Sequence, residues 1–262
     1  MLFEDKESNI LEDFRMLVER SSQSVFLIHD TSAVRSMLQS ITDDDIWKKE
    51  WIDSSSKSAP PPDFFNDSKK LMMEVMRVDD HSFERNGKIK NPTNQRAREI
   101  EKDLKNKGVL EGFPNTQLIV NAVTDLPTLE DHNYTFYKQN FKRVVEKHKH
   151  QINHYKANHP GFQLVFFVFD ESSMYCSVSA SNKTVKKGEL FKGVPHLWFY
   201  DKAFLDGIIH SGVDFLVWYT PYKYIDHIEP PLELPQACVF DCNQMVDNLV
   251  EYPEANMMSV EE

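Results

Sequence analysis

Residues 62–80 read PDFFNDSKKLMMEVMRVDD, and the fold turns on this stretch. The apolar pair Phe64-Phe65, the polar turn NDSKK and the apolar run from Leu71 succeed one another as the two arms of a β-hairpin do. Side chains alternate between faces along a strand, so Glu74 shares a side with Met72, Met76 and Val78. A carboxylate on an apolar face is costly unless something pairs with it. A divalent cation is one such partner, and Asp63 on the adjacent arm would complete the clamp. Mg²⁺ favours one or two carboxylates, with water and phosphate oxygens filling its shell. Such an ion polarises a phosphodiester and lowers the pKa of an attacking water. A solvated hairpin without an ion is the plainer reading of the same residues.

Working outward, Leu11, Phe14, Leu17 and Val18 give a helix over residues 10–21, and residues 24–28 are a strand or the start of a helix. SSSKSAPPP, residues 54–62, reads as a stiff polar linker. Residues 92–107 are expected to be helical with Gly108 as the stop, and QLIVNAV, residues 117–123, as a buried strand. The strongest helix spans residues 134–158, where Tyr137, Phe141, Val144, Val145, His148, Ile152 and Tyr155 form one continuous stripe. On that stripe His148 is expected to be a core histidine with one hydrogen bond. Residues 163–170 (QLVFFVFD) and 213–219 (VDFLVWY) are further strands, and residues 177–193 are a hairpin or an exposed loop. The sum is an α/β class chain, a mixed sheet flanked by helices.

The chain has 262 residues and a net charge of −11, with 41 acids against 30 bases. Nine of those acids and no base follow Tyr224, so residues 1–224 are nearly neutral and 225–262 form an acidic C-terminal segment. Within the body, Lys138, Lys142, Arg143, Lys147, Lys149 and Lys156 face only Glu146. That run is a solvated helix face or a surface that tracks phosphates. With 8 glycines and neither GxGxxG nor GxxxxGK[ST], dinucleotide and P-loop chemistry drop out. Cys176, Cys238 and Cys242 are too few for a disulfide framework and are expected to be reduced, buried thiols. No apolar run is long enough to span a bilayer, and the first residues lack a signal peptide's basic start. A cytoplasmic protein with no membrane partner is expected.

Gln151 and Tyr155 stand four apart on the long helix and so share a face, where an amide and a phenol can hold phosphate or sugar oxygens. Taken together, Pro62-Asp63, Glu74-Val75-Met76 and Gln151-Ile152 with Tyr155 resemble the PD-(D/E)XK nuclease superfamily, in particular its RecB-type exonuclease branch with the QhxxY motif. The resemblance covers residues 10–170. It implies a restriction-endonuclease-like core in a single domain over residues 1–224, with an insertion around 80–130 and an acidic C-terminal extension over 225–262. It also implies a nuclease that hydrolyses DNA or RNA with Mg²⁺ or Mn²⁺. Asp63, Glu74 and the Val75 carbonyl would then be the metal ligands, and Gln151, Tyr155, Lys142 and Arg143 the nucleic-acid contacts. Glu19, on the first helix, is a loose match to a further family acid.

This chain departs from the motif at its lysine, which is Met76 here. A thioether neither carries a proton nor stabilises a hydroxide. Arg77 points to the other strand face, and Lys147, one turn before Gln151, is the expected replacement from another element. The alternative is a catalytically inactive, nuclease-like binding or immunity protein acting on a protein partner through its acidic C-terminal surface. An acidic segment that covers the basic helix and restrains the enzyme combines the two. His150 and His154 have the spacing of helical zinc ligands, but Gln151 stands where a zincin needs a glutamate. FDESSMY, residues 169–175, ends a strand with adjacent acids, which are more commonly exposed than functional.

Overall fold

Two apolar runs dominate the architecture, residues 71–78 and 163–170, and they lie side by side at its centre. The computed structural model describes residues 7–55, 62–81, 83–86, 88–90, 92–108, 132–178, 193–223 and 234–260. In chain order these form α1 (Glu7–Arg20), β1 (Val25–Leu27), α2 (Ser32–Thr42), α3 (Asp44–Glu50), β2 (Trp51–Asp53), β3 (Phe64–Asn66), β4 (Leu71–Val78), β5 (Phe83–Arg85), β6 (Lys88–Lys90) and α4 (Pro92–Asn106). There follow α5 (Tyr134–Lys149), α6 (Ile152–Asn158), β7 (Gln163–Asp170), β8 (Tyr175–Val178), β9 (Gly193–Pro195), α7 (Lys202–Leu205), β10 (Phe215–Tyr219), β11 (Ala237–Asp241) and β12 (Met257–Ser259).

Among the described residues the main sheet has seven strands in the order β1-β11-β10-β7-β4-β3-β2. It is mixed. β2, β3 and β4 form an antiparallel meander, whereas β4, β7 and β10 run parallel to one another. Strands buried on both faces carry near-continuous apolar runs, unbroken in β7 (LVFFVF) and interrupted in β4 only by Glu74 and the exposed Arg77, which is why these are the easiest elements to recognise. Met72, Met76, Phe166, Val168, Leu216 and Trp218 pack on one face under α5 and α7. Leu71, Met73, Val75, Val165, Phe167 and Val217 pack on the other under α1 and α2. Each fully buried phenylalanine of β7 contributes roughly 1.5–3 kcal/mol by leaving water. The result is a three-layer α/β/α arrangement, as the sequence predicts in outline.

The expected hairpin forms with Phe64 opposite Met73 and Phe65 opposite Met72. Its turn is held by the buried Asn66, whose Oδ1 accepts from the Lys69 N–H at 2.9 Å, and Lys70 adopts φ +54° to close it. Helix α4 ends on Gly108 at φ +69°. Residues 177 and 178 pair with 193 and 194, so the hairpin alternative holds for the ends of that stretch; its middle lies outside the described residues. So do residues 117–123, expected as a strand, most of the 54–62 linker and part of the proposed 80–130 insertion. No described helix is long and apolar enough to cross a membrane. Cys176, Cys238 and Cys242 are free and buried.

Two expectations need correction. The helix over residues 134–158 is two helices, because the Gln151 N–H bonds to the His148 carbonyl in a tighter turn and Gln151 provides no side-chain cap to α6. The apolar stripe runs straight through the break, so spacing alone does not register it. The second correction concerns the C-terminal segment expected to lie over the body. Its Ala237–Asp241 portion is an interior strand, parallel to β1 and antiparallel to β10. The acids of that segment obscure a four-residue apolar run, ACVF, which is buried.

Candidate functional site

Asp63 immediately precedes β3, and the hairpin register carries it to the position across from Glu74. The Asp63 Oδ2 accepts the Val75 N–H at 2.7 Å, which orients that carboxylate along the edge of β4. Glu74 is 5% exposed and faces the α5 side, as strand alternation requires. Its Oε1 lies 2.6 Å from His148 Nδ1, while Oε2 is buried with no hydrogen bond of good geometry among the described residues, although the Tyr155 hydroxyl approaches the same carboxylate. Leaving a buried carboxylate oxygen unpaired costs several times what an ordinary hydrogen bond contributes. Tyr155 closes the group from α6. Its pKa is raised above the usual phenol value by burial, then by the charge of Glu74 and a hydrogen bond to that carboxylate, and last by the charge of Asp63.

The structure therefore brings together Asp63, Glu74, Val75 and Tyr155, and adds His148. It does not bring Lys147, which is exposed one residue away from the histidine that reaches Glu74. This corrects the expected lysine replacement, since neighbouring helix positions point about 100° apart. Met76 is 1% exposed and part of the core. Lys142 and Arg143 are exposed on α5, the latter donating to Asn140 Oδ1. Gln151 is half-buried at the helix break. His150 and His154 are both exposed, and Glu19 lies on α1, across the sheet from Glu74.

A second concentration of polar groups occupies the C-terminal ends of the parallel strands, where Val78 pairs with Asp170 and Phe169 with Tyr219. Ends of parallel strands are where α/β folds gather their sites. Asp80, just past β4, is fully buried. Its Oδ2 accepts from the Ser173 N–H at 3.0 Å, the Ser173 hydroxyl at 2.9 Å and the Tyr175 hydroxyl at 2.7 Å. His132 Nδ1 lies 3.2 Å from each Asp80 oxygen, and His81 Nε2 lies 3.6 Å from Oδ1. Burial pushes the Asp80 carboxyl upward, but the His132 bond and charge, the His81 charge and the Tyr175 hydroxyl outweigh it and hold the pKa at about 2.

Beside it, Asp170 accepts from the Ser172 N–H, the Ser172 hydroxyl, the Tyr137 hydroxyl and the Trp218 indole. Lys223, after β10, is fully buried against it and donates to the Ser173 carbonyl at 3.1 Å. Its ammonium sits 4.6 Å from the centre of the Tyr137 ring. A third group follows, in which Asp201 holds Tyr134 and His196. The acid at the end of β7 is thus buried and networked, contrary to the exposed reading of FDESSMY. Sequence reasoning missed the rest of this cluster. Its signals were the Asp79-Asp80-His81 run directly after an apolar strand and the single lysine two residues past Pro221.

Comparison of the chain with protein-family models, with curated proteins and with solved structures yields no match.

Proposed function

We propose that the chain is a divalent-metal-dependent phosphodiester hydrolase, with Mg²⁺ or Mn²⁺ held by Asp63, Glu74 and the Val75 carbonyl. The observation that carries this reading is the buried Glu74 carboxylate, whose Oε2 has no hydrogen bond of good geometry, set across the hairpin from Asp63. A hard cation would satisfy that oxygen and both negative charges together. The meander β2-β3-β4 followed by a crossover to the parallel β7 also suits the restriction-endonuclease-like core that the sequence resembles. In this reading the metal supplies an activated water and polarises the phosphoryl oxygen. His148 is the nitrogen base next to the metal-binding carboxylate, in place of the lysine that Met76 replaces. Tyr155 orients the phosphate, and Gln151 with exposed Lys142 and Arg143 follows the backbone of a nucleic acid, DNA by preference. The substitution at Met76 favours one second reading, a nuclease-like protein that binds without cutting.

Cleavage of single- and double-stranded oligonucleotides in Mg²⁺ and in Mn²⁺ tests the first reading, alongside calorimetric titration of Mg²⁺ in the presence of the oligonucleotide. Metal-dependent cleavage that Asp63→Asn and Glu74→Gln each abolish is expected. Metal uptake lost in those variants without any cleavage by the wild type selects the binding protein. Mg²⁺ uptake that both variants retain overturns the assignment of the site.

A further inference from the structure

We infer that Asp80, His81 and His132 form a site for a divalent transition-metal ion of the zinc type, separate from the Asp63–Glu74 pair and independent of the function proposed for it. Each of the three offers one ligand atom, and these atoms all lie within 4.8 Å of one another. The pairwise distances suit ligands gathered around one ion. A charge-assisted N–H···O contact shortens to about 2.7–2.9 Å. His132 Nδ1 stands at 3.2 Å from Asp80 Oδ1, and His81 Nε2 at 3.6 Å, beyond hydrogen-bond range for a side chain. Ligands around a tetrahedral ion with bonds of about 2.0–2.1 Å stand about 3.3 Å apart. The two imidazoles are thus spaced from the carboxylate oxygen as co-ligands are.

The surroundings fit the same chemistry. The Asp80 Oδ2 accepts from Ser173 and Tyr175, which fixes the carboxylate with Oδ1 toward His81 and both oxygens beside His132. Asp79 Oδ1 accepts the His81 N–H, and Asn140 donates to Asp79, so the chain that presents His81 is itself anchored. Such outer contacts fix ligand orientation in metal sites. The His81 and His132 rings meet edge to face at 4.8 Å, a spacing that two imidazoles bound to one ion share. Two imidazoles and one carboxylate select a borderline transition ion over Mg²⁺, and three protein ligands leave a position for water or substrate. His81 has the most exposed side chain of the three, so the ion enters from its side.

Cobalt serves as the probe, because Co²⁺ in a nitrogen and oxygen site absorbs visibly whereas Mg²⁺ does not. Titration of the full chain should give one equivalent of Co²⁺ with d–d bands, displaced by Zn²⁺ and indifferent to excess Mg²⁺. His81→Ala, at the rim of the cluster, should weaken uptake by at least the ~10–100-fold that outer-shell changes cost, with an unchanged far-ultraviolet circular dichroism spectrum. His132→Gln should do the same. Asp63→Asn with Glu74→Gln should leave the bands intact. Absence of bands in the wild type, or their survival in both histidine variants, overturns the inference. Loss of the bands with the hairpin pair instead assigns the ion to that site and also overturns it.

Discussion

Lys223 Nζ lies 3.5 Å from Asp170 Oδ2, with neither side chain exposed to solvent. Among the described residues the lysine is the positive partner of that carboxylate, and the remaining donors to Asp170 are neutral. Asp170→Asn therefore strands a buried ammonium, and breaking a buried pair from one side costs about 3–5 kcal/mol. Urea unfolding should show a drop of that order, and a smaller one for the Asp170→Asn, Lys223→Met double variant, in which no charge is left behind.

His196 sits fully buried against Asp201. Burial lowers its pKa from the model-compound value of 6.5, and the Asp201 hydrogen bond and charge offset only part of that. Because the folded value lies below the unfolded one, the unfolded chain binds the extra proton first. The contribution of His196 is present above pH 6.5 and is lost as pH falls toward the folded value. Denaturation midpoints between pH 7.5 and 5 should fall less steeply in His196→Gln than in the wild type.

Metal linkage offers a check on the Asp63–Glu74 clamp that needs no substrate. Mg²⁺ at a hundred times its dissociation constant should stabilise the wild type by about 2.7 kcal/mol. The Asp63→Asn, Glu74→Gln variant should show no Mg²⁺-dependent change in its urea midpoint.

Truncation after Lys223 was the natural way to expose a restrained nuclease if residues 225–262 were a cover. With β11 an interior strand, the same truncation removes the partner of both β1 and β10. It also removes Ser259 from Ser173. The truncated chain should show no cooperative unfolding transition in circular dichroism, instead of tighter nucleic-acid binding.

What the sequence disclosed depended on whether the relevant residues lie next to one another along the chain. The strands β4 and β7 were legible because burial on both faces leaves a mostly apolar run, uninterrupted in β7 and broken in β4 only by Glu74 and Arg77. The Asp63–Glu74 pair was legible because a tight hairpin converts sequence spacing into register, whereas His148, expected in the core, is half-buried and spends its hydrogen bond on Glu74. Strand β11 was hidden by flanking acids, and α2, α3 and β2 left no signal that was read. The strand-end cluster was invisible for a different reason. Asp80, His132, Asp170 and Lys223 meet only because three parallel strands terminate together, a consequence of sheet order that no local pattern expresses. The bend between α5 and α6 was missed because apolar periodicity is blind to one tighter turn.

The pairing of β1 with β11 has a bearing on how the sheet closes. Val25 of β1 pairs with Ala237 of β11, so the one described sheet neighbour of β1 comes from far along the chain. Until that pairing forms β1 has open edges, and exposed edges are templates for pairing with other chains. It is short, only three residues, and short edges limit that hazard. Closure between such distant segments pays its loop entropy late and slows folding. A sheet closed by so distant a pair therefore forms more slowly than its local hairpin of β3 and β4 would by itself.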